Sequence, residues 1–231
     1  MKKISFCAIV AATFIFLAGA HAGNQAGILT SNGPAYAWEP AFANPNQAAT
    51  IGWTFTVGPQ NNLNVHDLGF YDGGDVPLIT AHEIGIWNAS GSLLSSVTIP
   101  AGASTNYSSG YAYSAIASPI TLLAGQSYTI GAYYPGVTSG GDKFITSSSQ
   151  TFEADIIFGH PVLSSLSTSG VFTDPTILEG VYADGFFGPN FEFTTTPAPE
   201  PAPATLLALG VLVFTVAKGK SSKKGQMPAC K

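Results

Sequence analysis

Four carboxylates lie close together in the sequence around a glycine-rich turn, and their spacing suits a metal ion. They are Asp67, Asp72, Asp75 and Glu83. Oxygen ligands grouped at such a turn bind Ca²⁺ at about 2.3–2.6 Å. Ca²⁺ is therefore the candidate cofactor at these residues. The alternative is that Asp72-Gly73-Gly74-Asp75 only closes a hairpin.

The histidines raise the question of acid–base chemistry. His66 precedes Asp67, and His82 precedes Glu83. Adjacent residues of a strand point to opposite faces of the sheet, so neither pair is expected to form a hydrogen bond. His66, His82 and His160 could converge on zinc or copper, but no H-x-H or H-E-x-x-H motif is present. Surface or packing roles are the alternative.

Catalysis by a nucleophile finds little support. The chain contains no Gly-x-Ser-x-Gly motif, and its only cysteines are Cys7 and Cys230, near its ends. Glycoside hydrolysis needs two carboxylates roughly 5–10 Å apart, and an acidic domain produces such pairs by chance. We therefore expect a non-catalytic protein.

Five tyrosines in the middle of the chain are candidate sugar contacts. They are Tyr107, Tyr111, Tyr113, Tyr133 and Tyr134. Aromatic faces stack on the apolar faces of sugar rings, which makes polysaccharide a candidate ligand. The alternative is that alternate tyrosines fill the core or form cross-strand pairs.

The charge of the central part excludes one class of partner. Residues 23–196 contain twelve Asp and Glu residues and a single basic residue, Lys143, and the chain has no arginine. Nucleic acid is excluded because phosphate contacts need Lys and Arg. Acidic polysaccharide is disfavoured as well, unless cations bridge the two surfaces. The acidic surface also keeps an exported protein soluble.

Apolar and polar residues alternate with period two along residues 23–196, which indicates β-strands. The predicted strands are 51–57, 63–70, 83–88, 93–99, one that opens at Tyr111 and Tyr113, 119–122, 128–134, 144–146, 152–158 and 191–193. Many short strands separated by turns predict an all-β domain, an antiparallel β-sandwich. A jelly-roll-like arrangement is favoured over an immunoglobulin one, because no Cys-Trp-Cys pattern is present. Segments 136–142 and 163–174 are expected to be surface loops that tolerate change.

The N-terminus has the features of a signal peptide over residues 1–22. Lys2 and Lys3 precede an apolar stretch from Ile4 to Leu17. Ala20 and Ala22 then provide the small residues that signal peptidase recognises, so cleavage is expected after Ala22. The secretion machinery and signal peptidase are therefore expected partners.

The C-terminus has the features of a membrane anchor. A Pro-rich linker is predicted at 197–203, a transmembrane helix at 204–217 and a basic cytoplasmic tail at 218–231. The basic residues that follow the helix are Lys218, Lys220, Lys223 and Lys224. By the positive-inside rule these lysines stay in the cytoplasm, so the domain lies across the membrane.

This tail resembles the PEP-CTERM sorting signal of proteins exported by Gram-negative bacteria that make extracellular polysaccharide. The resemblance rests on Pro199, Glu200 and Pro201, the apolar run from Thr205 to Ala217, and the basic end. It implies an inner-membrane-anchored precursor that an exosortase, a membrane protease-transpeptidase, cleaves near the motif. It also implies a mature protein at the cell surface or in the extracellular matrix. The tail differs from the usual pattern in having only lysines and in continuing to Lys231.

The body of the chain is similar to an exported bacterial domain of unknown function that occurs with this tail and beside polysaccharide-degrading modules. The similarity covers most of residues 50–195 and rests on residues 52–57, 68–72, 82–87, 122–128 and 188–193. It implies a β-sandwich and no particular activity.

We therefore expect an exported, non-catalytic surface or matrix protein, with polysaccharide as candidate ligand. The alternatives are an extracellular hydrolase acting on polysaccharide and a structural module that assembles with itself.

Overall fold

The computed structural model describes residues 25–30, 35–37, 47–73, 77–102, 106–136, 141–146, 150–178 and 185–199. Within these ranges the chain forms fifteen β-strands. In chain order they are β1 (Gln25–Ala26), β2 (Ile28–Thr30), β3 (Ala35–Ala37), β4 (Ala49–Val57), β5 (Asn61–Tyr71), β6 (His82–Asn88), β7 (Leu93–Ile99), β8 (Tyr107–Ser108), β9 (Tyr111–Leu122), β10 (Ser127–Tyr134), β11 (Lys143–Ile145), β12 (Thr151–Phe152), β13 (Ile156–Leu163), β14 (Ile177–Leu178) and β15 (Pro189–Pro197).

The strands form two large antiparallel sheets. The five-stranded sheet has the order β1-β15-β5-β9-β8, and the six-stranded sheet has the order β14-β13-β4-β10-β6-β7. Two small ribbons, β11-β3 and β12-β2, complete the described strands. The prediction of an all-β fold built from antiparallel sheets is confirmed.

The two sheets pack face to face through aromatic side chains. Trp53 of β4 stacks on Phe191 of β15 with ring centroids 6.1 Å apart, and Phe55 lies 5.1 Å from the same ring. All three side chains are buried. Burial of such large apolar side chains from both sheets is the main stabilising contribution, at about 25 cal/mol per Å² of apolar surface. This shared core is what a β-sandwich requires.

The alternating pattern identified most of the strands. In β4 the side chains of Ile51, Trp53, Phe55 and Val57 are all buried in the core, as the period-two pattern predicts. Several strands are longer than predicted, such as β15, which was predicted only at 191–193, and two predicted segments are joined or divided differently in the structure. The predicted segments at Tyr111 and 119–122 belong to one long strand, β9, whereas the predicted strand 152–158 is divided into β12 and β13.

The segment 163–174 is a largely exposed loop after Leu163, as predicted, and it also packs on the six-stranded sheet. It lies over the outer face of the six-stranded sheet, where Tyr133 donates a hydrogen bond of 2.6 Å from its hydroxyl to the carbonyl of Gly170. Phe172 packs on Trp87 with ring centroids 5.0 Å apart. Glycine under this segment is necessary, since a Cβ atom at Gly131 would approach Pro175 within 3.0 Å. The segment is therefore a packed cover.

The predicted targeting segments lie outside the described residues. These segments are the signal peptide 1–22, the helix 204–217 and the tail 218–231. No membrane-crossing helix occurs in the ranges that the structure describes. The chain divides into two units between Ala198 and Pro199. Strand β15 reaches Pro197, one residue into the predicted linker.

Candidate functional site

A β-bulge in β5 brings two adjacent residues, His66 and Asp67, to the same face of the five-stranded sheet. Val65 pairs with Phe193 of β15, but Asp67 pairs with Glu192, so His66 is an extra residue on β5. The pairing of β5 with β9 is also interrupted here. A bulge turns two neighbouring side chains towards one face.

The consequence is a direct contact that strand alternation had excluded. His66 Nδ1 lies 2.6 Å from Asp67 Oδ2. The expectation that His66 and Asp67 point to opposite faces is therefore wrong, and the bulge is the physical reason. For His82 and Glu83 the same expectation holds, because His82 is buried whereas Glu83 accepts a hydrogen bond from Ser96 Oγ at 3.2 Å.

Glu192 completes the cluster from the neighbouring strand. Residues directly opposite each other in an antiparallel pair lie on the same face, and Glu192 is the register partner of Asp67. One potential ligand atom from each of His66, Asp67 and Glu192 lies within 4.8 Å of the others. Among the described residues this is the one group of three or more His, Cys, Asp or Glu side chains with such spacing. We call these three residues the bulge cluster.

The bulge cluster is half-buried and negatively charged. The side chains of His66 and Asp67 are 23% and 17% exposed. Burial raises the pKa of Glu192, the charge of Asp67 raises it further, and His66 acts in the opposite direction. His66 Nε2 is buried and has no hydrogen-bond partner among the described residues. One imidazole and two carboxylates could hold a divalent metal ion or exchange protons.

On the same face, next to the bulge cluster, Asn190 and Tyr113 connect different strands by hydrogen bonds. Asn190 is fully buried and accepts a hydrogen bond of 2.9 Å from the backbone N–H of Ile28. Its amide donates a hydrogen bond of 2.9 Å to the hydroxyl of Tyr113, whose ring covers Gly69. Burial, followed by the effects of Tyr111 and Glu192, raises the pKa of Tyr113 well above its usual value. Tyr113 is therefore a neutral, structural residue.

The carboxylates predicted to bind Ca²⁺ do not come together as a group. Asp67 lies on the outer face of the five-stranded sheet, because its neighbour Leu68 is in the core. Glu83 lies on the outer face of the other sheet, next to the buried Ile84. Asp72 follows the end of β5, and its backbone N–H bonds to the carbonyl of Gly110 at 3.1 Å. Asp75 lies outside the described residues.

The three histidines are in three different environments. His66 belongs to the bulge cluster, and His160 is exposed on β13. His82 is 1% exposed and its ring stacks on Phe70 with centroids 3.8 Å apart. They therefore do not converge on one metal ion.

His82 instead forms a buried clasp with Asp142. Its Nδ1 lies 2.8 Å from the carbonyl oxygen of Tyr133 and its Nε2 lies 2.9 Å from Asp142 Oδ2. Asp142 also accepts hydrogen bonds from the backbone N–H groups of Ile79 and Thr80, at 2.8 and 2.9 Å. Burial raises the pKa of Asp142, but these hydrogen bonds, with that from His82 the strongest, outweigh burial and hold it below its usual value. No local pattern predicts this contact, because His82 and Asp142 are 60 residues apart in the chain.

Most of the tyrosines predicted to contact sugar are not available to a ligand. Tyr111, Tyr113 and Tyr134 are at most 4% exposed. Tyr133 is half-buried and bonded to the segment that covers it, and Tyr107 is exposed. The packing alternative is therefore correct for the first three.

A shallow groove lies beside the cover segment on the outside of the six-stranded sheet. Its volume is about 390 Å³. Hydroxyl side chains form most of its wall. They are Ser164, Ser165, Ser167, Ser169, Thr173 and Thr176. Asp174 contributes a carboxylate, and Val171 and Ile177 contribute exposed apolar surface.

Asp174 is the ionisable residue of this hydroxyl groove. Burial raises the pKa of its carboxyl group. Its Oδ1 atom is buried and has no hydrogen-bond partner among the described residues. Asp174 is therefore a half-buried carboxyl group of the groove wall with one unsatisfied oxygen.

The predicted processing residues lie outside the described ranges, except for Pro199 at their end. They are Ala20 and Ala22 of the cleavage site, Glu200 and Pro201 of the sorting motif, and Lys218, Lys220, Lys223 and Lys224 of the basic tail. They stay predictions from the sequence.

The fold defines a class, an all-β protein of two packed antiparallel sheets with polar sites on their outer faces. The family described as a domain of unknown function, DUF4082, matches residues 37–185. This span is well over half of the 231-residue chain, and the protein belongs to this family. No curated protein and no solved structure matches the chain.

Proposed function

We propose that this protein is an exported, non-catalytic polysaccharide-binding module of the cell surface or extracellular matrix. The export step rests on the signal-peptide pattern of residues 1–22 and on the PEP-CTERM-like tail with Pro199, Glu200 and Pro201. In this proposal the C-terminal helix 204–217 holds the precursor in the inner membrane, and an exosortase then releases or transfers the domain.

A jelly-roll topology is part of the proposal. The eight strands β1, β4, β5, β6, β7, β9, β10 and β15 can be numbered 1 to 8 in chain order. The five-stranded sheet then contains the order 1-8-3-6 and the six-stranded sheet contains 2-7-4-5. Eight strands wound as a double Greek key have this interleaved order, and jelly rolls are common among lectin domains. Strands β13 and β14 are additions at one edge.

The observation that carries the binding proposal is the composition of the hydroxyl groove. Its volume of about 390 Å³ lies within the roughly 300–1,000 Å³ of small-ligand sites. Serine and threonine hydroxyls both donate and accept hydrogen bonds, as sugar hydroxyls do. The carboxylate of Asp174 can accept from a sugar hydroxyl, and the exposed side chains of Val171 and Ile177 can contact the apolar face of a ring.

The charge of the domain favours a neutral polysaccharide. Residues 23–196 have an excess of eleven acidic over basic side chains. The acidic side chains would repel an acidic polymer. At 0.1 M salt this repulsion is screened only at separations beyond about 10 Å, so it would act on a polymer in contact with the surface.

Affinity electrophoresis of the full-length chain in gels that contain neutral polysaccharides tests the proposal. We expect retardation by at least one polymer, and we expect Asp174→Asn to weaken the affinity about tenfold or more, because the groove loses its charged acceptor. Asp155→Asn is the matched control, since Asp155 bonds to Asn61 far from the groove.

Two outcomes would contradict the proposal. Migration unaffected by every polymer, together with concentration-dependent oligomers, would favour a self-assembling structural module. Release of reducing ends from a polymer would favour the hydrolase alternative.

A further inference from the structure

The bulge cluster has a composition that structural roles do not explain. Asp67 and Glu192 are direct register partners on one face of the sheet. Like charges placed directly opposite each other destabilise an antiparallel pair. Structural cross-strand pairs usually avoid this arrangement, so its presence calls for a neutralising partner.

No basic side chain of the domain is placed to neutralise the two carboxylates. Lys143 is the single Lys or Arg in residues 23–196, and it lies in β11, which is not part of the five-stranded sheet. His66 is the remaining candidate, and it contacts Asp67 at 2.6 Å. One imidazole can balance one carboxylate at most, and it does so only when it is protonated.

We propose that His66, Asp67 and Glu192 together bind one divalent transition-metal ion, for which Zn²⁺ is the reference probe. Carboxylates combined with imidazole nitrogen are a ligand set of Zn²⁺ and related ions. Ca²⁺ requires about six to eight oxygen ligands and gains little from imidazole. This site differs from the predicted calcium group, with which it shares only Asp67.

The geometry indicates which atoms serve as ligands. His66 Nε2 is buried, so Nδ1, which already faces Asp67, is the nitrogen available to the ion. Ligand atoms at about 2.0–2.2 Å from Zn²⁺ lie roughly 3.3–3.6 Å apart in a tetrahedron. The widest spacing, up to 4.8 Å, therefore has to contract by roughly 1.2–1.5 Å, and the 2.6 Å contact between His66 Nδ1 and Asp67 Oδ2 has to lengthen by roughly 0.7–1.0 Å. Rotation of the half-buried Glu192 side chain can supply the contraction.

The partial exposure of His66 and Asp67, 23% and 17%, is compatible with a fourth ligand from solvent. Ala115 of β9 pairs with Asp67 on the side away from Glu192, and it is exposed. Its methyl group leaves room for a water molecule or for an oxygen of an external ligand. Sites with three protein ligands and one open position are typical of zinc that binds a further molecule.

Metal titration of the full-length chain, purified in mild detergent and treated with EDTA, tests this proposal. We expect one Zn²⁺ per chain by calorimetry, and a Co²⁺ spectrum without a thiolate charge-transfer band, because the cluster contains no cysteine. At a hundredfold excess over Kd, Zn²⁺ should raise the unfolding midpoint by roughly 5–10 °C. Millimolar Ca²⁺ should not displace it.

Two variants and a control locate the site. Glu192→Gln and His66→Gln should each weaken Zn²⁺ binding about tenfold or more, whereas His160→Gln, at an exposed histidine of the other sheet, should not. In EDTA, Glu192→Gln should unfold at the same or a slightly higher temperature than the wild type, because it removes the repulsion with Asp67. This measurement separates loss of a ligand from loss of the fold.

Three results would overturn the proposal. The first is the absence of Zn²⁺ and Co²⁺ binding by the wild type. The second is wild-type affinity in both variants, and the third is equal affinity for Ca²⁺.

Discussion

The clasp between His82 and Asp142 makes a quantitative prediction about stability. Asp142→Asn replaces one carboxylate oxygen by an N–H₂ group. Oδ2, the oxygen in contact with His82, also accepts from the backbone N–H and the hydroxyl of Thr80. If the N–H₂ group takes the place of Oδ2, the hydroxyl of Thr80 can rotate to accept a hydrogen bond from it. The N–H of Thr80 and Nε2 of His82 then face this N–H₂ donor instead of an acceptor. Oδ1 accepts a single hydrogen bond among the described residues, from the backbone N–H of Ile79.

The expected cost follows from these two buried donors. A buried donor without a partner costs about 1–3 kcal/mol, and breaking a buried ion pair costs about 3–5 kcal/mol. These two donors share Oδ2 in a buried site where Asp142 accepts four hydrogen bonds, which makes the higher range appropriate. We therefore expect a loss of about 3–5 kcal/mol in the free energy of unfolding at pH 7. This corresponds to a fall of roughly 6–20 °C in the midpoint for a domain of this size.

The same change should alter the pH dependence of stability in a defined direction. The pKa of Asp142 is lower in the folded protein than its usual 3.8. Its contribution is therefore complete above the unfolded pKa and is lost as the pH falls through the folded one. The difference between wild type and Asp142→Asn should be constant from pH 7 to 5 and should narrow below about pH 4.

Urea unfolding, monitored by the fluorescence of the buried Trp53, measures both quantities. The matched control is Asp155→Asn, because Asp155 is half-buried and its carboxylate accepts from the neutral amide of Asn61. The control should cost less than about 1 kcal/mol. A cost below 1 kcal/mol for Asp142→Asn, or a difference that stays the same at pH 3, would refute the reasoning.

Two further predictions concern the packing around the candidate sites. Asn190→Ala should destabilise the protein by about 2–4 kcal/mol, because the buried backbone groups of Ile28 and the hydroxyl of Tyr113 lose their partner; a melt within 2 °C of wild type would contradict this. Gly131→Val should push Pro175 and its segment off the sheet, since even a Cβ atom lies within 3.0 Å of that ring. Faster proteolysis within residues 163–176, with the rest of the domain still protected, would confirm the displacement, and unchanged protection would oppose it.

The elements that could be predicted from the sequence are those that depend on local pattern. The alternation in residues 51–57 identified β4 and its buried face. The short spacing between the predicted strands 119–122 and 128–134 matches the tight connection between β9 and β10, where Gly125 has a φ of 72°. Glycine adopts this conformation without the strain that a side chain would cause. The residues that form such a pattern lie within about ten positions of one another in the chain.

The candidate sites depend on contacts that no local pattern contains. The bulge at His66 exists because the registers of β15 and β9 against β5 shift at this residue. The sequence of β5 alone does not show how its neighbours are registered. The tyrosines were misassigned for a related reason. Alternation shows that Tyr111 and Tyr113 share a face, but it does not show that this face is covered. The groove around Asp174 likewise requires that a polar, serine-rich segment folds back on a sheet.

The pairing of β1 with β15 places the two ends of the described domain side by side. Gln25 lies opposite Phe193, four residues before the strand ends at Pro197, a distance of roughly 13 Å along the sheet. A peptide of a few residues could therefore join these ends without disturbing either strand. Opening the chain at the exposed turn of Ala89 and Ser90 would then give a circular permutant with the same sheets. In such a permutant the new ends would lie at the turn between β6 and β7, at the edge of the six-stranded sheet.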